Sequence, residues 1–324
     1  MLVKTYSVVC LRPEVDFLKV GVTPPGQLSI TYISPDDRNM PVLVKQAHAL
    51  VIPAVGPKLK GALFQDSAVR LVQVTGAGVD RLDEAAMKKL GIVVANVAGG
   101  SNSALAEYVV ACALVLHRRI AWADREIREG NYQSVRTRMI ADSLQGIAGL
   151  TVGIVGLGNI GLAVTEAFKR MGCSTIYFDP AVSEKLSARS SSLSELLDVA
   201  DIVSLHVPLL PETQGLIGAK ELMRMKPDAV LINAARGGVV DETALAASLV
   251  QGEIGGAAVD VYSEEPPSDS NPLLSLRGEG AQRILFTPHV AGVTRQSWAY
   301  LFNTAWENVV RVLERGELAA NRVY

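Results

Sequence analysis

The stretch LTVGIVGLGNIG, Leu150 to Gly161, is a short apolar run leading through a glycine-spaced turn into helical periodicity. Gly156, Gly158 and Gly161 form GxGxxG, and each has its own physical task. The first permits a tight turn, the second lets backbone N–H groups approach a pyrophosphate, and the third lets the following helix pack closely on the strand. Ile160, Ala163, Val164, Ala167, Phe168 and Met171 recur at helical spacing behind the turn. A GxGxxG is weak alone, since glycines also end strands for structural reasons. Here the next apolar run, TIYFD, closes on Asp179, 18 residues beyond Gly161. An acid there accepts hydrogen bonds from adenosine ribose hydroxyls and repels a 2′-phosphate. Pro180 and Ala181 follow it without an arginine to hold such a phosphate, so NAD is favoured over NADP. The same aspartate could instead serve as a turn former ahead of proline.

A loop of this kind usually opens its domain, yet 149 residues stand in front of Leu150. They repeat the α/β pattern more faintly: YSVVC, LSITYIS, ALVIPAV, LVQVT and IVVANV read as strands, with RLDEAAMKKLG a helix between the last two. Beyond the glycine turn, TVGIVG, TIYFD, DIVSLHV, AVLINA, GAAVDVY and RILFTPH are strands. A helix from Asp241 to Gly252 and a shorter one opened by Ser192 with Glu195 as a capping pattern lie among them. Short apolar strands separated by helices imply right-handed crossovers and parallel sheets covered on both faces. The spacing from Thr294 predicts a final helix with Trp298, Leu301, Phe302, Ala305, Val309 and Leu313 on one face, ending near Gly316. Asn102 to Arg119 is a helix apolar around almost its whole circumference, and is expected to be a bridge or a subunit contact.

With 324 residues, 49% hydrophobic and 20% charged, two buried cores are expected. A net charge of −2 provides no basic field for nucleic acid or anionic membrane, so small molecules and protein subunits are the expected partners. Cys10, Cys112 and Cys173 are odd in number and far apart, which suggests neither disulfides nor a metal site and fits a reducing cytoplasm. The first residues lack a signal peptide's apolar core and cleavage site, and the densest apolar run, Tyr108 to Leu116, is too short to span a bilayer.

Three further segments, INAARGG, VDVYSEEPP and FTPHVAG, place reactive side chains just after apolar strands, where ligands of open α/β sheets collect. Arg236 offers a planar fork suited to a carboxylate, Glu265 is an acid before prolines, and His289 is an imidazole in a loop. A guanidinium can hold a carboxylate, and an imidazole oriented by an acid can pass a proton near neutral pH. Each of the three residues also has a bland explanation when read singly. Of the other histidines, His117 in HRR reads as a surface or interface cation, His206 as a strand-end residue near the cofactor, and His48 as structural.

In this order and behind this loop, the segments resemble the D-isomer-specific 2-hydroxyacid dehydrogenase family. The resemblance runs from GAGVDRLDEAAMKKLGIVVAN through GLTVGIVGLGNIG, HVPLLPET and INAARGGVVDETAL to TPHVAG. It implies an NAD-dependent oxidoreductase in which Arg236, Glu265 and His289 are catalytic. It further implies NAD contacts at the glycine loop with Asn159 and Ile160, at Asp179, at His206, Val207, Pro208 and Thr213, at Ala234, Ala235, Arg236 and Asp260, and along His289 to Gly292. The implied fold is two doubly wound parallel-sheet domains, a Rossmann NAD-binding domain inserted into a flavodoxin-like substrate domain. The implied boundaries are 1–99 with 291–324 for the substrate domain and 100–290 for the NAD-binding domain. In the family, the region matching the Asn102 helix joins two NAD domains about a two-fold axis, so a homodimer is expected.

Departures from the family pattern bear on substrate. Phosphoglycerate dehydrogenases carry an arginine before their counterpart of TGAGVD, where Val74 and Thr75 stand here, and phosphite dehydrogenase carries a lysine in that loop, where this chain has Ala77. The family's NxPGxN reads NVAGGSN, with Ser101 in the asparagine's slot. Ala77, Gly78, Ser101, Arg236 and Arg295 are the candidate substrate contacts, and Arg136 and Arg138 are either further contacts or ordinary solvated arginines. The chain stops at Tyr324, so no C-terminal regulatory domain is expected. A compact 2-oxo acid such as glyoxylate or hydroxypyruvate is favoured. The alternatives are a phosphoglycerate dehydrogenase or a non-catalytic NAD-sensing regulator on the same scaffold.

Overall fold

The computed structural model describes residues 5–182 and 189–324. Residues up to Ser101 together with Val293–Tyr324 form one compact unit, and Asn102–Gly292 form the other. Among the described residues, no helix is long and apolar enough to cross a membrane.

In the first unit β1 (Tyr6–Cys10), β2 (Leu28–Tyr32), β3 (Ala49–Ile52), β4 (Leu71–Val74) and β5 (Val93–Ala95) form a parallel sheet in the order β2-β1-β3-β4-β5, the flavodoxin-like order. Both faces are covered, which is why β3 and β4 are buried at every residue and read as nearly unbroken apolar runs. Along β1, Val8 and Cys10 face one core while Val9 and Leu11 face the other, the period-two alternation of a strand. The final helix, Arg295–Leu313, is opened by Thr294, whose hydroxyl accepts the Ser297 N–H at 3.1 Å. It lays Leu301, Phe302, Ala305, Trp306 and Val309 into the first of these cores. Phe302 and Trp306 meet the Phe17 ring at 4.6 and 5.3 Å, and burying each such ring stabilises the unit by roughly 1.5–3 kcal/mol. The one polar residue of β4, Gln73, is fully buried and accepts from Asn308 of that helix, so the polar group is satisfied by the element that covers it.

In the second unit β6 (Thr151–Val155), β7 (Ser174–Phe178), β8 (Arg189–Ser190), β9 (Ile202–Leu205), β10 (Val230–Asn233), β11 (Gly256–Val259) and β12 (Ile284–Phe286) are all parallel, in the order β12-β11-β10-β9-β6-β7-β8. This is the doubly wound Rossmann order extended by one strand, with the direction of travel reversing between β6 and β9. The two-residue β8 has no strand-like signal in the sequence and exists by pairing with β7.

The helix Asn102–His117 departs from expectation. Ala106, Val109, Cys112 and Ala113 are buried in the core on one face of the second sheet, and Tyr108, Val110, Leu114 and Leu116 pack against that core. It lies along the helix Asn159–Arg170 and over β10. Its apolar circumference is therefore largely accounted for inside its own unit, and by itself requires neither a bridge nor a partner subunit.

Candidate active site

The strand ends of the second unit form one aligned row. Val155 is in register with Phe178 and Leu205, Leu205 with Asn233, Asn233 with Val259, and Val259 with Phe286. The next residue on each strand is Gly156, Asp179, His206, Ala234, Asp260 or Thr287. Five of these six are residues singled out from the sequence. Register between strands far apart in sequence converts scattered segments into one edge, at the carboxyl ends where doubly wound sheets bind ligands.

At the glycine loop the backbone leaves room only where a ligand would need it. Gly156 has φ +91°, and a Cβ there would stand 2.5 Å from the His206 carbonyl oxygen. A Cβ on Gly161 would run into the Gly156 carbonyl oxygen. Above Gly158, by contrast, a Cβ would meet nothing within 4 Å. Gly158 caps the helix Asn159–Arg170 without a side-chain hydrogen bond, and the first N–H groups of a helix have no partner within it. An open, uncapped helix N-terminus with its partial positive charge fits a pyrophosphate. Asp179 accepts the Leu157 N–H on one oxygen and the Ala181 N–H on the other, both at 2.8 Å. The residue thus forms the turn before Pro180 and also ties β7 to the glycine loop. Each oxygen keeps a lone pair for a ribose hydroxyl.

Beyond β10, β11 and β12, the three reactive residues emerge from neighbouring loops. Arg236 is half-buried; its Nη1 donates to Ala235 O at 2.7 Å, and Asn233 fixes the turn by donating to Arg236 O and accepting the Ala235 N–H. A Cβ on Gly237 would collide with the Tyr262 carbonyl, so this glycine lets the arginine loop press directly onto the loop that carries Glu265. Glu265 Oε1 accepts the Tyr262 N–H at 3.1 Å, and its Oε2 lies 2.8 Å from His289 Nδ1. Both side chains keep about a quarter of their surface exposed, 26% for Glu265 and 29% for His289. His289 has φ +55°, a left-handed conformation uncommon for a residue with a Cβ. Its N–H donates to Asp260 O at 2.8 Å.

Other expected site residues find varied places. His206 Nε2 pairs with the Ser204 hydroxyl at 2.8 Å, and burial pushes its imidazole down to about 4, so it is neutral near pH 7. Val207 packs beside Gly156. Thr213 donates to Pro208 O at 2.6 Å and accepts the Leu210 N–H, which closes its own loop. Asp260 is 1% exposed, and its carboxylate receives the Val290 and Ala291 N–H groups at 2.8 and 2.9 Å. In the first unit Ala77 and Gly78 follow β4, Asn96 donates to Ala77 O at 2.7 Å, and Arg295 is exposed at the start of the final helix.

Two further histidines and one arginine have distinct surroundings. His48 accepts the Ser7 N–H at 3.1 Å and meets the Tyr6 ring edge-on, a structural role. His117 is not the surface cation expected of HRR: burial lowers its imidazole below the ordinary value and favours the neutral form. Arg138 is held by Glu279 at 3.2 Å and lies over the Trp122 ring, whereas Arg136 is exposed. Sequence reasoning missed Thr287, Tyr262, Tyr108 and Glu242. The only sequence signal for Thr287 was its place one residue past a strand. Glu242 accepts the Ser263 N–H at 2.7 Å and so steadies the Glu265 loop.

The sequence model of the D-isomer specific 2-hydroxyacid dehydrogenase NAD binding domain matches residues 110–291, more than half of the chain. A glyoxylate reductase of Korarchaeum cryptofilum is 33% identical over 314 residues, 96% of this chain and 89% of that protein. A D-3-phosphoglycerate dehydrogenase of Archaeoglobus fulgidus is 37% identical over 233 residues, 71% of this chain but 42% of that protein. The chain spans about half the length of such phosphoglycerate dehydrogenases. Among solved structures, a D-lactate dehydrogenase of Treponema pallidum superposes with a TM-score of 0.79 at 28% identity, covering 98% of this chain and 99% of that one. The chain belongs to the D-isomer specific 2-hydroxyacid dehydrogenase family, and the cofactor of its second unit is NAD.

Proposed function

We propose that the chain is an oxidoreductase that interconverts a small, polar 2-oxo acid and its 2-hydroxy acid, with glyoxylate or hydroxypyruvate as the favoured substrate. The observation that carries this reading is the His289–Glu265 pair, set at the strand ends beside the Arg236 loop. Bound NADH would supply the hydride. Because Glu265 holds Nδ1, Nε2 is the ring atom from which a proton can pass to the keto oxygen, and the carboxylate stabilises the imidazolium that remains after the reverse step. A guanidinium has five N–H donors in a planar fork; we assign that of Arg236 to the substrate carboxylate and to polarising the adjacent carbonyl. We assign the NAD contacts to the glycine loop, Asp179, the His206–Thr213 loop, Ala234 to Arg236, Asp260 and the His289–Gly292 loop.

Residues 1–99 with 291–324 are read as the substrate domain and 100–290 as the NAD-binding domain. Ala77 and Gly78 stand just past β4 in the former, and we assign their N–H groups, Arg295 and the neighbouring Ser101 to substrate. The phosphoglycerate reading draws support from the Archaeoglobus relative. Against it, Thr75 is 3% exposed and donates to Ile52 O, so no cation stands where phosphoglycerate dehydrogenases have their arginine. A phosphate buried without a partner loses several kcal/mol of hydration. The three cysteines are free and buried, in keeping with a reducing, cytoplasmic setting.

NADH oxidation with glyoxylate, hydroxypyruvate and 3-phosphohydroxypyruvate tests the reading. The first two are expected to give the higher kcat/KM. Phosphohydroxypyruvate as the best substrate would overturn the substrate assignment, and NADH binding with no turnover of any 2-oxo acid would favour the non-catalytic regulator.

A further inference from the structure

The histidine loop hangs on one buried aspartate. The N–H of His289 goes to the Asp260 carbonyl, that of Val290 to Oδ1 and that of Ala291 to Oδ2. These bonds hold His289 in its left-handed conformation, which a residue with a Cβ seldom adopts without such support. The aspartate in turn needs its own rotamer fixed. The Thr287 hydroxyl donates to Asp260 Oδ1, and Tyr108 Oη lies 2.7 Å from the same hydroxyl. Thr287 has a single hydroxyl hydrogen, and the carboxylate takes it. Tyr108 is therefore the donor, and the chain runs from the Tyr108 O–H to the Thr287 O–H to the Asp260 carboxylate. Burial pushes the Tyr108 phenol well above its usual range, so the donor keeps its proton at any working pH. A second phenol, Tyr262, donates to Thr287 O at 3.0 Å and holds the threonine's backbone from the other side.

We propose that Thr287 and Tyr108 are positioning residues for His289: they lock the Asp260 carboxylate that carries the histidine loop, and neither touches substrate. The inference rests on the assignment of His289 as proton donor. Its chemistry is geometric. A loop released from Asp260 misplaces Nε2, and displacement of a catalytic group by about 1 Å can cost 10²-fold in rate. The Tyr108 link joins the helix Asn102–His117 to the loop, so the helix's contribution to the site is polar as well as apolar.

Steady-state kinetics with the best 2-oxo acid, NADH binding by fluorescence and thermal melting are to be compared for Thr287→Val, Thr287→Ser and Tyr108→Phe. Thr287→Val is expected to lower kcat by about 10–100-fold, with a smaller rise in the KM for NADH because the same loop is assigned to NAD, and a Tm lower by a few degrees because the Tyr108 O–H loses its buried acceptor. Thr287→Ser, which keeps the hydroxyl, restores most of kcat, and Tyr108→Phe gives a smaller fall in kcat. If Thr287→Val does not fold, Tyr108→Phe against the unmutated chain carries the same comparison. Unchanged kcat in the folded variants, or a loss that serine does not restore, overturns the proposal. If the unmutated chain reduces no 2-oxo acid, the dehydrogenase reading fails instead. Amide exchange at Val290 and Ala291 then decides the anchoring: faster exchange in the variants supports it, and unchanged exchange overturns it.

Discussion

His289 Nδ1 lies 2.8 Å from Glu265 Oε2, although 24 residues separate them. The pair forms because β11 and β12 are neighbours in register, and because the second Glu265 oxygen is pinned by the Tyr262 N–H. A carboxylate fixed at both oxygens sets the plane of the imidazole and thereby the direction in which Nε2 points.

Removing the ring tests the proton donor. His289→Ala is expected to lower kcat by about 10²–10⁴-fold, the usual worth of general acid catalysis, with NADH binding little changed. Stopped-flow single turnover and fluorescence titration check both halves, and a variant that keeps most of its turnover removes His289 from the mechanism.

Two glycines of one motif should respond differently to alanine. Gly158 has ordinary φ and open space above it, so Gly158→Ala should melt like the unmutated chain yet bind NADH about 10–100-fold more weakly, the worth of one charge-assisted hydrogen bond. Gly161→Ala meets the Gly156 carbonyl and should destabilise the fold by about 1–3 kcal/mol. Calorimetry with and without NADH separates the two; equal loss of stability at both positions contradicts the geometry.

Asp179 bears on cofactor choice and on loop shape together. Asp179→Ala should narrow the preference for NADH over NADPH chiefly by weakening NADH, because the ribose acceptor and the tie to Leu157 are lost at once. Comparable kcat/KM for the two cofactors in the unmutated chain would refute the assignment.

His206 gives the stability a pH dependence of known sign. Its folded value of about 4 lies below the unfolded one of 6.5, so the unfolded chain binds the extra proton first. The stability is complete above about pH 6.5 and declines as pH falls toward 4, with a loss of about 1–2 kcal/mol by pH 5. Urea melts at pH 7.5 and 5 should show the decline, and His206→Gln should flatten it. An equal slope in that variant would assign the effect to other groups.

Association is expected through the short helices Ile120–Arg128 and Tyr132–Ala141, which leave Ile120, Ile127, Tyr132 and Ile140 between 47 and 62% exposed. We propose a homodimer. Light scattering at micromolar concentration should give twice the chain mass, and charged replacements at Ile127 and Ile140 should halve it; a monomeric unmutated chain would contradict this.

Features that depend on near neighbours are legible in the chain itself. Eleven of the strands, β8 excepted, follow from short apolar runs, since a strand covered on both faces must be apolar throughout. The caps at Asp83, Ser192, Asp241 and Thr294 follow from side chains that satisfy N–H groups two or three residues on. GxGxxG is legible because turn, approach and packing act within six residues. Tertiary structure decided what depends on register and on long closure. Local sequence does not align Val155 with Phe286 across the sheet, nor does it place Tyr108 against Thr287, 179 residues away. Only the folded core shows that the apolar surface of Asn102–His117 is covered within its own unit and that burial lowers the His117 imidazole, because burial is a property of everything packed around a residue rather than of its neighbours in the chain.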